Sequence, residues 1–164
     1  MCIIELRIKP YLVDFLKAMY KKDQEIIASK NNYVGIVLEP ILQKSPRKFR
    51  PPKNTNLRIK LTQVDSKSMK GSKDPRIYNY ISDTGIKQFE RHIDKLFDQI
   101  FFEFMSNSVV PNPDAANGYN KGKNIIQIKE CIQEFMNKYK LDPDHITFDK
   151  LQKSYYRYKA LKKE

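Results

Sequence analysis

The chain has 164 residues, room for one domain or a small domain with an appended module. Its 40% of hydrophobic and 12% of aromatic residues suffice for a packed core, and its 30% of charged residues do not forbid one, so a wholly disordered chain is excluded. The formal net charge of +12 makes polyanions the first partner class to consider.

Of the 31 basic residues, 24 are lysine and 7 are arginine. Lysine is a point charge suited to phosphate, whereas arginine is the better reader of guanine edges. The balance favours backbone binding over dense base readout. Cys2 and Cys131 lie far apart, and neither a disulfide framework nor a metal spacing follows from them. The apolar run Cys2–Leu6 is short and already carries Glu5, so no signal peptide is expected. No apolar stretch approaches a membrane span. A cytoplasmic protein without a membrane partner is the expectation.

Residues 2–9 alternate, with Cys2, Ile4, Leu6 and Ile8 on one face and Glu5, Arg7 and Lys9 on the other, which is strand periodicity. Pro10 then opens a helix, a position where its missing N–H costs little. Leu12, Phe15, Leu16 and Met19 form that helix's apolar stripe. Ile26–Ala28 suits a short strand, while Val34–Leu38 suits strand or helix, with Pro40 arguing against an uninterrupted helix.

Residues 43–56 carry three prolines and little apolar content, so an exposed basic arm is expected over 44–56. A second alternating strand follows, with Leu57, Ile59 and Leu61 inward and Arg58, Lys60 and Thr62 outward. The tetrapeptide Leu-Arg-Ile-Lys occurs at 6–9 and again at 57–60. Matching β patterns of this kind suit neighbours in one sheet, with basic outer faces. Residues 65–75 are polar and read as a loop.

The strongest periodicity predicts a helix from Asp83 to Ser106, with Ile86, Phe89, Ile93, Leu96, Phe97, Ile100, Phe101 and Phe104 as its apolar stripe. Residues 107–124 are rich in Asn, Pro and Gly and read as a linker. Two helices are then expected, the first over Ile125–Lys140. The second has Thr147 as its cap, Ile146 and Leu151 at hydrophobic-staple positions, and Asp149 in its first turn.

The positive charge is localised. Residues 44–76 hold 11 basic and 2 acidic residues, and residues 147–163 hold 6 basic residues against Asp149, while the rest of the chain is slightly acidic. Two basic segments on a near-neutral frame are what an electrostatic footprint for nucleic acid looks like. In the last helix Lys150, Lys153 and Arg157 recur at helical spacing beside Tyr156 and apart from Phe148, Leu151 and Tyr155. A buried face, a basic face and a preceding helix are the layout of a helix-turn-helix. The bland counterpart is a helical hairpin with a solvated basic face. Its break of about six residues, without glycine, is longer than the usual three or four. In the arm, Arg47, Lys48 and Arg50, with Lys44, Lys53 and Phe49, suit phosphate contact stiffened by proline. The counterpart there is a charged loop.

Catalytic patterns are weaker. Glu90, Asp94 and Asp98 form an acidic row that would suit a divalent metal, but Lys87, Arg91 and Lys95 run beside it, the usual sign of an ion-paired face. His92 and His145 are the only histidines and form no zinc pattern. Tyr155 and Tyr156 lack the several Arg and His groups a tyrosine nucleophile needs around a phosphate. Gly118 and Gly122 form no phosphate loop, and Cys131 reads as helix packing. No cofactor or metal is expected.

The closing stretch FMNKYKLDPDHITFDKLQKSYYRYK resembles the C-terminal helical segments of small basic proteins of phages and mobile elements. It covers about the last quarter of the chain. The resemblance implies DNA binding in replication or gene regulation of such an element and supplies no catalytic residues.

The sequence therefore reads as an α+β domain over 1–106, a small sheet packed with a long amphipathic helix, then the linker and a helical hairpin over 125–164. The expected function is non-enzymatic DNA binding, regulatory or replication-associated, on double-stranded DNA. Lys150, Lys153, Tyr156, Arg157, Arg47, Lys48, Arg50, Arg58 and Lys60 are the contact residues, and a homodimer is compatible with it. The alternatives are an RNA- or single-strand-binding module, a structural or protein-interaction protein, and a nuclease.

Overall fold

The computed structural model describes residues 2–46, 54–62, 74–109 and 121–162. The described elements make an α+β fold, in chain order β1 (Cys2–Leu6), α1 (Pro10–Tyr20), β2 (Ile26–Ala28), α2 (Tyr33–Ile41), β3 (Gln43–Lys44), β4 (Leu57–Leu61), β5 (Tyr78–Tyr80), α3 (Asp83–Ser108), α4 (Lys121–Lys138) and α5 (Phe148–Leu161). Two compact units result, residues 1–95 and 96–164, and the boundary falls within α3.

In the first unit the three-stranded sheet has the order β1-β4-β2. The two alternating segments do become neighbours, but the first strand ends at Leu6, so only that residue of the first tetrapeptide is paired. β1 and β4 pair antiparallel with Leu6 opposite Leu57 and Ile4 opposite Ile59. All four residues are buried, so the period-2 pattern sets the register. Asn56 extends this ladder with its side chain. Its Oδ1 accepts from the Ile8 N–H at 3.0 Å and its Nδ2 donates to the Ile8 carbonyl at 2.8 Å. β2 pairs parallel to β4 on the other edge.

Helix α1 starts at Pro10 as the sequence predicts, and Leu12, Phe15 and Leu16 are buried. It ends with Lys21 in the left-handed region at φ 52°. The Lys21 and Lys22 N–H groups return to the Ala18 and Lys17 carbonyls, the paired bonds of a Schellman motif.

The ambiguous stretch 33–41 is helical because Asn32 caps it, its Oδ1 accepting from the Gly35 N–H at 2.9 Å. Pro40 falls in the last turn, where the helix is about to end. An ideal Cβ on Gly35 would lie 2.0 Å from the Ser29 carbonyl oxygen, so only glycine allows α2 to lie this close to the end of β2. Residues 43 and 44, expected as loop, pair antiparallel with β5 instead.

The acidic row on α3 finds its use in the first unit. Glu90 Oε2 accepts from the Lys9 N–H at 2.9 Å, Asp94 Oδ2 accepts from Lys9 Nζ at 2.7 Å, and Asp94 Oδ1 accepts from the Tyr11 hydroxyl. The carboxylates thus hold the N-terminal end of α1 against α3. Among the described residues no group of three His, Cys, Asp or Glu side chains is placed to hold a metal ion.

The second unit is built on rings. Phe135 of α4 lies 4.9 Å from Phe101, 5.8 Å from Phe97 and 5.4 Å from Phe104, centroid to centroid. Phe97, Phe101, Met105, Ile128, Ile132 and Phe135 are buried. Tyr158 of α5 stacks on Phe102 at 4.1 Å. Edge-to-face and offset pairs of this kind add about 0.5–1.5 kcal/mol each beyond the area they bury. No helix of the described residues is long and apolar enough to cross a membrane.

Candidate nucleic-acid interface

The basic helix α5 is positioned by the connection before it. Lys140 adopts φ 50°. The Lys140 N–H bonds the Asn137 carbonyl at 3.2 Å and the Leu141 N–H bonds the Met136 carbonyl at 2.9 Å. This is a second Schellman motif, with lysine at the position where glycine is commonest. It explains how α4 stops without a glycine. Asp142 then accepts from the Asp144 N–H through Oδ1 at 2.9 Å and from the His145 and Ile146 N–H groups through its carbonyl. Thr147 Oγ1 accepts from the Lys150 N–H at 3.3 Å, which starts α5 as expected. Ile146 and Leu151, the staple positions, are both buried.

Residues 139–147 separate the two helices, a connection longer than the three or four residues of a tight helix-turn-helix. Helix α4 starts at Lys121, ahead of the expected Ile125, and packs against α5.

Leu151 and Tyr155 are buried, while Lys150, Lys153, Tyr156 and Arg157 are exposed. The helix therefore buries one stripe and presents the other to solvent. Tyr156 is 42% exposed, a large ring with open surface. None of the salt bridges among the described residues involves Lys153 or Arg157. Two further cations lie over rings that the sequence had marked only for packing. Lys159 Nζ is 6.0 Å from the Tyr155 ring centre and Lys162 Nζ is 4.8 Å from that of Tyr158. Hydrogen bonding to Lys162 holds the Tyr158 phenol below its ordinary value. Burial pushes the Tyr155 phenol up.

The other expected contact residues stand differently. Arg47, Lys48 and Arg50, with Phe49 and Lys53, lie outside the described residues. Lys44 sits in β3 with its Nζ 5.8 Å from the Tyr78 ring centre. Arg58 faces outward from β4, but its guanidinium pairs with Glu5 at 3.3 Å and with Glu25 at 3.4 Å. Lys60 lies in register with Ile3 and Ile27. Both carboxylates thus lie on Arg58, whereas the register neighbours of Lys60 are apolar. The alternating pattern showed which residues point outward, but Glu25 precedes β2 and its approach to Arg58 had no local signal.

Cys131 is buried, and burial, then Glu134 and Glu130, raises its thiol. A thiol held protonated is a poor nucleophile. No protein-family model matches the chain, and neither the curated proteins nor the solved structures give a match.

Proposed function

We propose that this protein is a non-enzymatic DNA-binding protein, regulatory or replication-associated, that contacts double-stranded DNA through the exposed face of α5. The observation that carries the reading is the exposed row Lys150, Lys153, Tyr156 and Arg157 opposite buried Leu151 and Tyr155. A helix held by one face and cationic on the other presents charge to phosphates at little ordering cost. Arg47, Lys48 and Arg50 add a second cationic stretch to the same reading.

The exposed Tyr156 ring favours a second reading, stacking on an unpaired base of single-stranded DNA or RNA. Competition for the protein among labelled duplex, single-stranded DNA and RNA at low salt separates the two. Duplex DNA is expected to compete best. Preference for either single strand would transfer the assignment to Tyr156, and no retention of any of the three would remove it.

A further inference from the structure

Charge is ordered along α5 as well as around it. Asp142, Asp144 and Asp149 are exposed and lie before or in its first turn. Lys153, Arg157, Lys159 and Lys162 are exposed and follow. Thr147 Oγ1 occupies the Lys150 N–H, one of the donors that a phosphate at the helix N-terminus would use. Asp149 then adds a negative charge where a phosphate would sit favourably. Asp149 and Arg157 are about 12 Å apart along the axis, beyond the roughly 8 Å screening length at physiological salt. The first turn and the Arg157 end of the helix therefore meet an approaching polyanion as separate electrostatic surfaces, with Lys153, about 6 Å along the axis from Asp149, between them.

We infer that α5 lies across the phosphate backbone with its C-terminal two-thirds, through Lys153, Tyr156 and Arg157, and keeps its first turn off the DNA, so that binding is independent of base sequence. This rests on the DNA-binding reading of α5. A recognition helix inserts its N-terminal residues toward base edges; here those residues include Asp149 and follow two further aspartates. Such a first turn suits solvent better than a duplex backbone, and the Lys-rich face that follows suits phosphate contact, which carries no sequence information by itself.

The test measures binding of the full chain to several 20-base-pair duplexes of unrelated sequence, by fluorescence anisotropy over a salt series, with circular dichroism checking that each variant keeps its helices. Lys153→Ala and Arg157→Ala are each expected to lower the salt slope by about 0.9, equally on every duplex. Lys150→Ala, beside Asp149, is expected to change it least. Asp149→Asn is expected to tighten binding on all duplexes alike, by roughly twofold to threefold at the lowest salt and by less as salt rises, the effect of removing one like charge about 8 Å from phosphate in water. The inference is overturned if Lys150→Ala is the most damaging change, or if Asp149→Asn alters preference among the duplexes. Both outcomes leave DNA binding by α5 intact. Unchanged binding by Lys153→Ala and Arg157→Ala would instead remove the underlying reading.

Discussion

An alanine at position 35 would place its methyl carbon 2.0 Å from the Ser29 carbonyl oxygen, 2.5 Å from its carbonyl carbon and 2.6 Å from its nitrogen. All three atoms are backbone, so no rotamer change relieves the contact. Restoring even a tight 3.0 Å separation moves α2 away from Ser29 by roughly 1 Å. That movement works against the Gly35 N–H bond to Asn32 at 2.9 Å and the Asn32 N–H bond to the Ser29 carbonyl at 3.1 Å. Overpacking of this kind costs about 1–3 kcal/mol and a weakened cap about 1 kcal/mol, against which alanine's helix propensity returns about 1 kcal/mol. The expected net loss is about 2 kcal/mol, or about 4–8 °C in Tm for a chain of this size. Urea unfolding followed by circular dichroism, with calorimetry for Tm, measures it. Gly85→Ala is the control. Its Cβ would meet one side-chain methyl, the Ile81 Cγ2, at 2.7 Å rather than three backbone atoms, so a loss smaller than that of Gly35→Ala, about 1 kcal/mol, is expected. If Gly35→Ala unfolds within about 0.5 kcal/mol of the parent, the packing of α2 against the end of β2 is wrongly described.

Lys140→Gly relieves a left-handed backbone that costs a non-glycine residue about 1 kcal/mol, so denaturant unfolding should show a gain of that order. A loss would refute the Schellman geometry between α4 and α5. Burial raises the phenols of Tyr20, Tyr139 and Tyr155 above the ordinary 10.0. The folded state then holds those protons more tightly than the unfolded state. Their contribution to stability is complete below about pH 10 and is lost as pH rises through the folded values. Absorbance at 295 nm should show them ionising late and Tyr158 early, and Tyr158→Phe should delete an early step; simultaneous ionisation of all the tyrosines would contradict this. The buried, raised Cys131 thiol should react with a disulfide reagent far more slowly than half-buried Cys2, and two equally fast thiols would contradict its packing.

Much of the fold was legible because it depends on local periodicity. The alternation of Ile4 and Leu6 and of Leu57, Ile59 and Leu61 marked β1 and β4 as strands of one sheet, since alternating residues must bury one face. Pro10 and Thr147 marked two helix starts through chemistry confined to one turn. What was not legible depends on partners distant in sequence. Glu90 and Asp94 look like half of an ion-paired helix face, yet their partners Lys9 and Tyr11 lie more than 80 residues earlier. Arg58 looks like a free cation until Glu5 and Glu25 are placed beside it. The stop between α4 and α5 was hidden because lysine performs the turn usually given to glycine. Met105, buried at the end of the α3 stripe, was missed because the aromatic run drew the pattern's boundary at Phe104. For the candidate site, the exposed face of α5 was readable from spacing alone. The acidic character of its first turn was present in the sequence too, but became meaningful once Thr147 was seen to occupy the Lys150 N–H.

The most direct test of the central claim is the salt dependence of duplex binding by the parent chain and by the triple variant Lys150→Ala, Lys153→Ala, Arg157→Ala. The parent is expected to bind at low salt with affinity falling steeply as salt rises. The triple variant, still folded, is expected to bind much more weakly, with a log–log slope smaller by about 2 to 3. Equal affinity and equal slope for the two proteins would contradict the claim.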